Sequence, residues 1–190
     1  MGTKTSRLDV TTMLERQHEQ VRELFGRIGD GSTPTASDSF CELRRLLAVH
    51  ETGEEMVVYP ALRKLGADAE RIAKERLAEE DEAKIALHEL ENIGLNEPAF
   101  ATKIAALQSA VLAHAGAEER DVFPRIRQAE STSALRTMGM ALQRAEEAAP
   151  THPHPHAPQS AIANMVGGPF LATVDRVRDA LRGEQHDPHR

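Results

Sequence analysis

From Asp9 onward the chain alternates apolar and polar residues with a helical period. Leu14, His18, Val21, Leu24, Phe25 and Ile28 fall three or four positions apart, which places them on one face of a helix. Asp9 is a candidate N-cap, and Gly29-Asp30-Gly31 closes the run. A second stripe passes through Phe40, Leu43, Leu47, His50, Glu54, Val57, Val58 and Ala61. Ser37 or Asp38 is expected to cap it, and Pro60 to kink or end it. A third helix is predicted from about Asp68 to about Ile93, with Ile72, Leu77, Asp81, Ile85 and His88 along one side. A fourth follows Pro98 through Ile104, Leu107, Val111, His114, Glu118 and Val122, and Pro124 repeats the role of Pro60.

Amphipathic helices of similar length joined by short breaks specify an all-α, up-down-up-down four-helix bundle over residues 8–128. Residues 129–190 read as a C-terminal extension with additional helices, one from Ser131 to about Ala148 and a short one around Phe170 to Leu181. Between them, Pro150-Thr151-His152-Pro153-His154-Pro155-His156-Ala157-Pro158 carries too much proline for a helix and is expected to be extended.

The buried stripes hold groups that an apolar core does not tolerate unpaired. Residues 50 to 60 read HETGEEMVVYP and residues 114 to 124 read HAGAEERDVFP. In each, a His precedes a Glu by four residues, so both side chains occupy one helical face. With His18 on a third helix, the set His18, His50, Glu54, His114 and Glu118 points to a metal site. Imidazoles and carboxylates without an inward thiolate suit iron or manganese better than zinc, and two carboxylates suit bridging two ions. Counting helical rise back from the turns puts the matching level of the third helix near positions 77 to 81, so Asp81 is the expected ligand there, and His88 lies about 10 Å too far along. Glu51, Glu55 and Glu119 are candidates for supporting the ligands, with Glu51 expected on the solvated flank. Tyr59 could approach the site, but its equivalence to Phe123 favours packing. The Pro-His segment is either an exposed connector or a cover for the open end of the bundle that lends His154 to the metal.

The totals narrow the class further. Aromatic residues make up 3% of the chain and Trp is absent, a helical rather than a sheet profile. The formal net charge of -7 argues against a nucleic-acid partner, which calls for a basic stripe. The single cysteine, Cys41, fits a reducing compartment and, beside Phe40 and Leu43, is expected to be packed. No apolar run reaches bilayer length and no signal peptide is legible, so no membrane partner and a cytoplasmic location are expected.

These residues resemble the hemerythrin-like, HHE cation-binding family of four-helix di-iron proteins. The likeness rests on His18 in QHEQVREL and on the two HxxxE turns with their trailing aromatic-Pro, and it spans roughly residues 8 to 128. The tail with its Pro-His-Pro element looks like an actinobacterial-type long variant. The family usually carries a His in the third helix, where this chain has Glu79-Glu80-Asp81. The resemblance implies a cofactor of two iron ions, oxo- or hydroxo-bridged, held by the three histidines, Glu54 and Glu118; Asp81, from the level count above, is expected to complete the set. The oxygen-rich donors favour the ferric state, so chemistry with peroxide, O2 or NO is expected ahead of reversible O2 carriage. Catalase-like peroxide detoxification leads that reading, and sensing of O2, NO or iron, or iron holding without turnover, is the alternative. A ferritin-like oxidase fits less well, since only Glu15-x-x-His18 matches its Glu-x-x-His requirement. The chain is expected to be a monomer or homodimer.

Overall fold

In the computed structural model, residues 8–148 are described, and among them every regular element is helical. Helix α1 spans Val10–Ile28, and the Asp9 carboxylate accepts from the Thr12 N–H at its start, satisfying one of the orphan donors of the first turn. Helix α2 spans Ala36–Gly53. Its N-cap is Thr35, which makes no side-chain capping bond, so neither Ser37 nor Asp38 caps it. The chain then continues through a π-helical turn, Glu54–Val58, into α3, Tyr59–Arg63. Pro60 therefore does not end the helix. Helix α4 spans Ala67–Ile93 and α5 spans Pro98–Ala117. A second π-helical turn, Glu118–Val122, leads into α6, Phe123–Ala129, and α7 spans Thr132–Ala148.

Helix α1 packs on α2, α4 on α5, and α7 lies against both α1 and α2. Gly53 makes the last contact possible: a Cβ there would collide with Leu142 Cδ1, so only glycine lets α7 approach α2 at this height. Gly31, at φ +88°, turns the chain out of α1 beneath the ring of Phe100. Two apolar clusters fill the interior. One includes Leu14, Val58, Leu62, Leu77, Phe123 and Leu142; the other includes Val21, Phe25, Leu47, Leu87, Phe100 and Val111. On every long bundle helix the residues between the clusters are polar: His18 on α1, His50 on α2, Glu80 on α4 and His114 on α5. A polar layer thus divides the core.

Cys41 is exposed, contrary to the expectation of a packed thiol. Phe40 and Leu43 carry the buried stripe of α2, and Cys41 is turned about 100° away from Phe40. No helix among the described residues is long and apolar enough to cross a membrane. The extended Pro-His segment and the short helix expected around Phe170 lie outside the described residues.

Candidate metal centre

The two similar turns of sequence form two similar turns of structure. In each, the backbone carbonyl of the buried glutamate accepts from an N–H five residues on: Tyr59 to Glu54, and Phe123 to Glu118. The reason is the following residue, Pro60 or Pro124, which has no N–H to give and crowds the carbonyl four residues back. Widening the helix by one residue accommodates the ring, and the widened turn begins at the carboxylate-bearing residue. Single π-turns of this kind are frequent at functional sites.

The polar layer has an inner and an outer shell of contacts. Inside, His18 Nε2 and His114 Nε2 approach Glu118 Oε2 at 3.3 and 3.4 Å, and His50 Nε2 approaches Glu54 Oε2 at 3.2 Å. Outside, each Nδ1 meets an acceptor: Glu119 Oε1 at 2.9 Å from His18, Gln17 Oε1 at 2.7 Å from His50, and Glu79 Oε2 at 2.9 Å from His114. A proton held on Nδ1 by an outer acceptor leaves the Nε2 lone pair facing inward, which is the arrangement of a metal-binding imidazole.

His18 Nε2, His114 Nε2, both oxygens of Glu54, Glu80 Oε2 and Glu118 Oε2 are buried and lack a hydrogen-bond partner among the described residues. Each such group costs on the order of a few kcal/mol unless something satisfies it. Concentrated in one layer, inward-facing lone pairs and carboxylate oxygens fit a cation. Ligand atoms of His18, His50, Glu54 and Glu118 lie within 4.8 Å of one another, and so do those of Glu54, Glu80 and His114. Glu54 is common to both groups.

The charges within the layer are unequal. Burial drives the Glu54 carboxyl well above its ordinary range, and repulsion from Glu118 and Glu80 adds to it. Burial likewise raises Glu80, with help from Glu51. For Glu118 burial also pushes upward, but the imidazoles of His18, His114 and His50 around it bring it down to about 2. Burial, with the His18 imidazole close by, lowers His50 to about 3, which keeps its ring neutral and able to ligate. Tyr59 Oη is 2.6 Å from Glu80 Oε1 and 2.7 Å from Glu118 Oε1. The single Tyr59 hydroxyl proton is thus within donating distance of both carboxylates. A cavity of about 700 Å³ opens off the layer, lined by Ala83 and Ala86 of α4, Leu107 and Val111 of α5, and His18 and His114.

Five of the residues singled out from sequence, His18, His50, Glu54, His114 and Glu118, converge in this layer. Asp81 does not. Its side chain is 67% exposed and lies 3.6 Å from Lys84, and the buried carboxylate of α4 is Glu80, one residue earlier. The buried stripe of α4 is centred on Ala73, Glu80 and Leu87, seven residues apart. Counting in fours from Leu77 walks off this face, which is why Ile85 is 45% exposed as well. His88 is exposed and pairs with Glu91 at 3.5 Å. His154 lies outside the described residues. Glu51 is buried, not solvated; burial raises its carboxyl to about 8 despite Lys84 at 3.6 Å. Glu55 accepts from Lys84 at 2.8 Å. Tyr59 packs in the core as expected, and its hydroxyl also bonds two carboxylates of the layer. Glu79 and Gln17 carried no periodic signal, because outer-shell partners sit beside the buried stripe rather than on it.

Comparison with known proteins agrees with this geometry. The hemerythrin HHE cation-binding domain model matches residues 9–126. A hemerythrin-like protein of Schizosaccharomyces pombe is 30% identical over 136 residues, covering 71% of this chain and 67% of that protein. A DNA nickase of Nostoc sp. is 24% identical over 127 residues, covering 66% of this chain but 36% of that protein. The crystal structure of a hemerythrin HHE cation-binding domain-containing protein from Mycobacterium kansasii superposes with a TM-score of 0.65 at 19% identity, covering 90% of this chain and 99% of the other.

Proposed function

The chain belongs to the hemerythrin HHE cation-binding family, and from that premise we propose that it is a non-haem protein holding two iron ions that react with a small oxidant, peroxide first, O2 or NO otherwise. One observation carries the reading: two groups of buried, inward-facing N and O donors share Glu54. His18, His50 and Glu118 would hold one ion, Glu80 and His114 the other, with Glu54 between them. Bound ferrous ions would supply two electrons to an oxidant.

The chain's own residues do the rest. The outer acceptors Glu119, Gln17 and Glu79 aim the imidazoles inward. Tyr59 holds a proton between Glu80 and Glu118, next to where an oxidant's oxygen would need one. The cavity beside the layer, with Leu107 and Val111 on its wall, gives a small molecule a way in. The charge of -7 works against binding a phosphate backbone, so the activity named for the Nostoc relative is not carried over. Metal analysis of the purified chain should give two irons, and added hydrogen peroxide should yield continuous O2 evolution. A metal-replete chain that changes its absorption once and evolves no O2 would be a sensor or an iron-holding protein instead.

A further inference from the structure

The family match ends at residue 126, yet a hydrogen-bonded chain enters the metal layer from beyond it. Gln17 Nε2 donates to Glu146 Oε1 of α7 at 2.6 Å, and Gln17 Oε1 is 2.7 Å from His50 Nδ1. His50 Nε2 in turn faces Glu54 Oε2 at 3.2 Å. The direction of this chain is dictated from its outer end. A carboxylate only accepts, so Gln17 must turn its NH2 toward Glu146 and its carbonyl oxygen toward His50. That oxygen also only accepts, so the His50 proton must reside on Nδ1, and Nε2 keeps the lone pair that a cation requires.

Helix α7 is held at the height this needs. Leu142 is fully buried over Gly53, and a Cβ on Gly139 would come within 2.7 Å of the Leu8 carbonyl. These two close approaches seat α7 on α2 and on the start of α1, with Glu146 level with Gln17. We propose that Glu146 and Gln17 are positioning residues that lock His50 in its metal-binding tautomer, which makes α7 part of the metal site and not only a cover for the bundle. The proposal rests on the reading of His50 as a ligand.

The lock is tested by reversing its polarity. Glu146→Lys places a donor where only an acceptor stood, so Gln17 must turn its oxygen outward and offer NH2 to His50. Nδ1 must then accept, and the proton moves to Nε2. Full-length protein purified with its iron is compared by X-ray absorption at the iron edge, which counts imidazoles, and by iron retention against a chelator. Glu146→Lys should lose one imidazole per chain and retain iron about tenfold less well. Glu146→Gln, which can still accept, should match the unaltered chain. Adding Gln17→Glu to Glu146→Lys should restore the lost imidazole, since the introduced carboxylate again accepts from Nδ1. A folded Glu146→Lys variant with its full imidazole count and unchanged iron retention overturns the lock. If that variant does not fold, Glu146→Leu, which frees the amide to turn, is read the same way, and full retention there also overturns it. An unaltered chain that carries no iron sinks the metal reading itself, a result separate from either outcome above.

Discussion

The turn His50–Pro60 and the turn His114–Pro124 share a sequence pattern and a backbone but not an environment. The first is covered: α7 lies against it, with Leu142 over Gly53, and His50 is 4% exposed. The second is open: Gly116 has only the side chain of Arg120 near it, and the His114 side chain is 12% exposed beside the cavity. Their carboxylates also differ, Glu54 raised by burial and its acidic neighbours, Glu118 lowered by the imidazoles around it. The same local code has produced one buttressed half, suited to fixing ions, and one accessible half, suited to admitting a reactant. The difference lies in what each turn packs against, and Gly53, whose counterpart in the second turn is Ala117, is what lets α7 pack on the first.

The largest effect should come from the residue both halves use. Glu54→Ala removes the carboxylate common to both ligand groups and should leave less than one iron per chain by metal analysis. Glu118→Ala removes one oxygen donor from the group centred on His18 and should leave a partly loaded chain. Equal, near-complete retention in both variants would mean that Glu54 does not join the two positions.

Next in size is a pair of neighbours that separates the register of α4. Glu80→Gln takes an anionic donor from the group on the His114 side and should cost about one iron per chain, whereas Asp81→Asn, at a 67% exposed side chain, should leave iron content unchanged. The reverse result would return the ligand role to Asp81. This pair also marks where the sequence stopped being legible. The helices, the bundle, the doubled HxxxE turns and five convergent donors follow from periodicity and spacing, because each ligand lies on a stripe defined by apolar residues on both sides. On α4 the stripe is blurred by Arg76, Lys84 and Ile85, so a choice between adjacent carboxylates depended on phase, and one residue is about 100° of rotation. Glu79, Gln17 and Glu146 lay further out of reach. Glu79 and Gln17 are recognised only by the histidine nitrogen each faces and Glu146 only by the Gln17 amide it accepts from, a matter of tertiary contact between distant segments.

A third test uses pH. In the chain without metal, Glu54 and Glu80 are raised and Glu51 stands at about 8, all above the carboxylate value of 4.5. The folded form then binds more protons than the unfolded one above pH 4.5, so stability falls as pH rises. His50 acts oppositely, lowered to about 3 from 6.5: its contribution is complete above pH 6.5 and is lost as pH falls toward 3. From pH 6.5 to 8 only the carboxylates change, and bound cations would compensate them. Calorimetry should therefore show the gap in Tm between metal-loaded and metal-stripped protein widening from pH 6.5 to pH 8. A constant gap would mean that the layer is already ionised without metal.

The smallest effect addresses a hydroxyl that the first turn carries and the second lacks. Tyr59 and Phe123 occupy equivalent places, but the Tyr59 hydroxyl bonds Glu80 and Glu118 while the Phe123 ring stacks on His18 with centroids 5.7 Å apart. Tyr59→Phe leaves both carboxylates short of a partner and should cost about 1 to 3 kcal/mol, read as a lower midpoint in urea with an unchanged slope. If Tyr59 also holds a proton for the bound oxidant, the variant should keep its iron and react more slowly with peroxide. Phe123→Tyr makes the converse change, placing a hydroxyl where the ring is fully buried, and should destabilise without altering the peroxide rate. Were the two variants to slow the reaction alike, the hydroxyl would be acting through packing, and the two turns would differ in exposure alone.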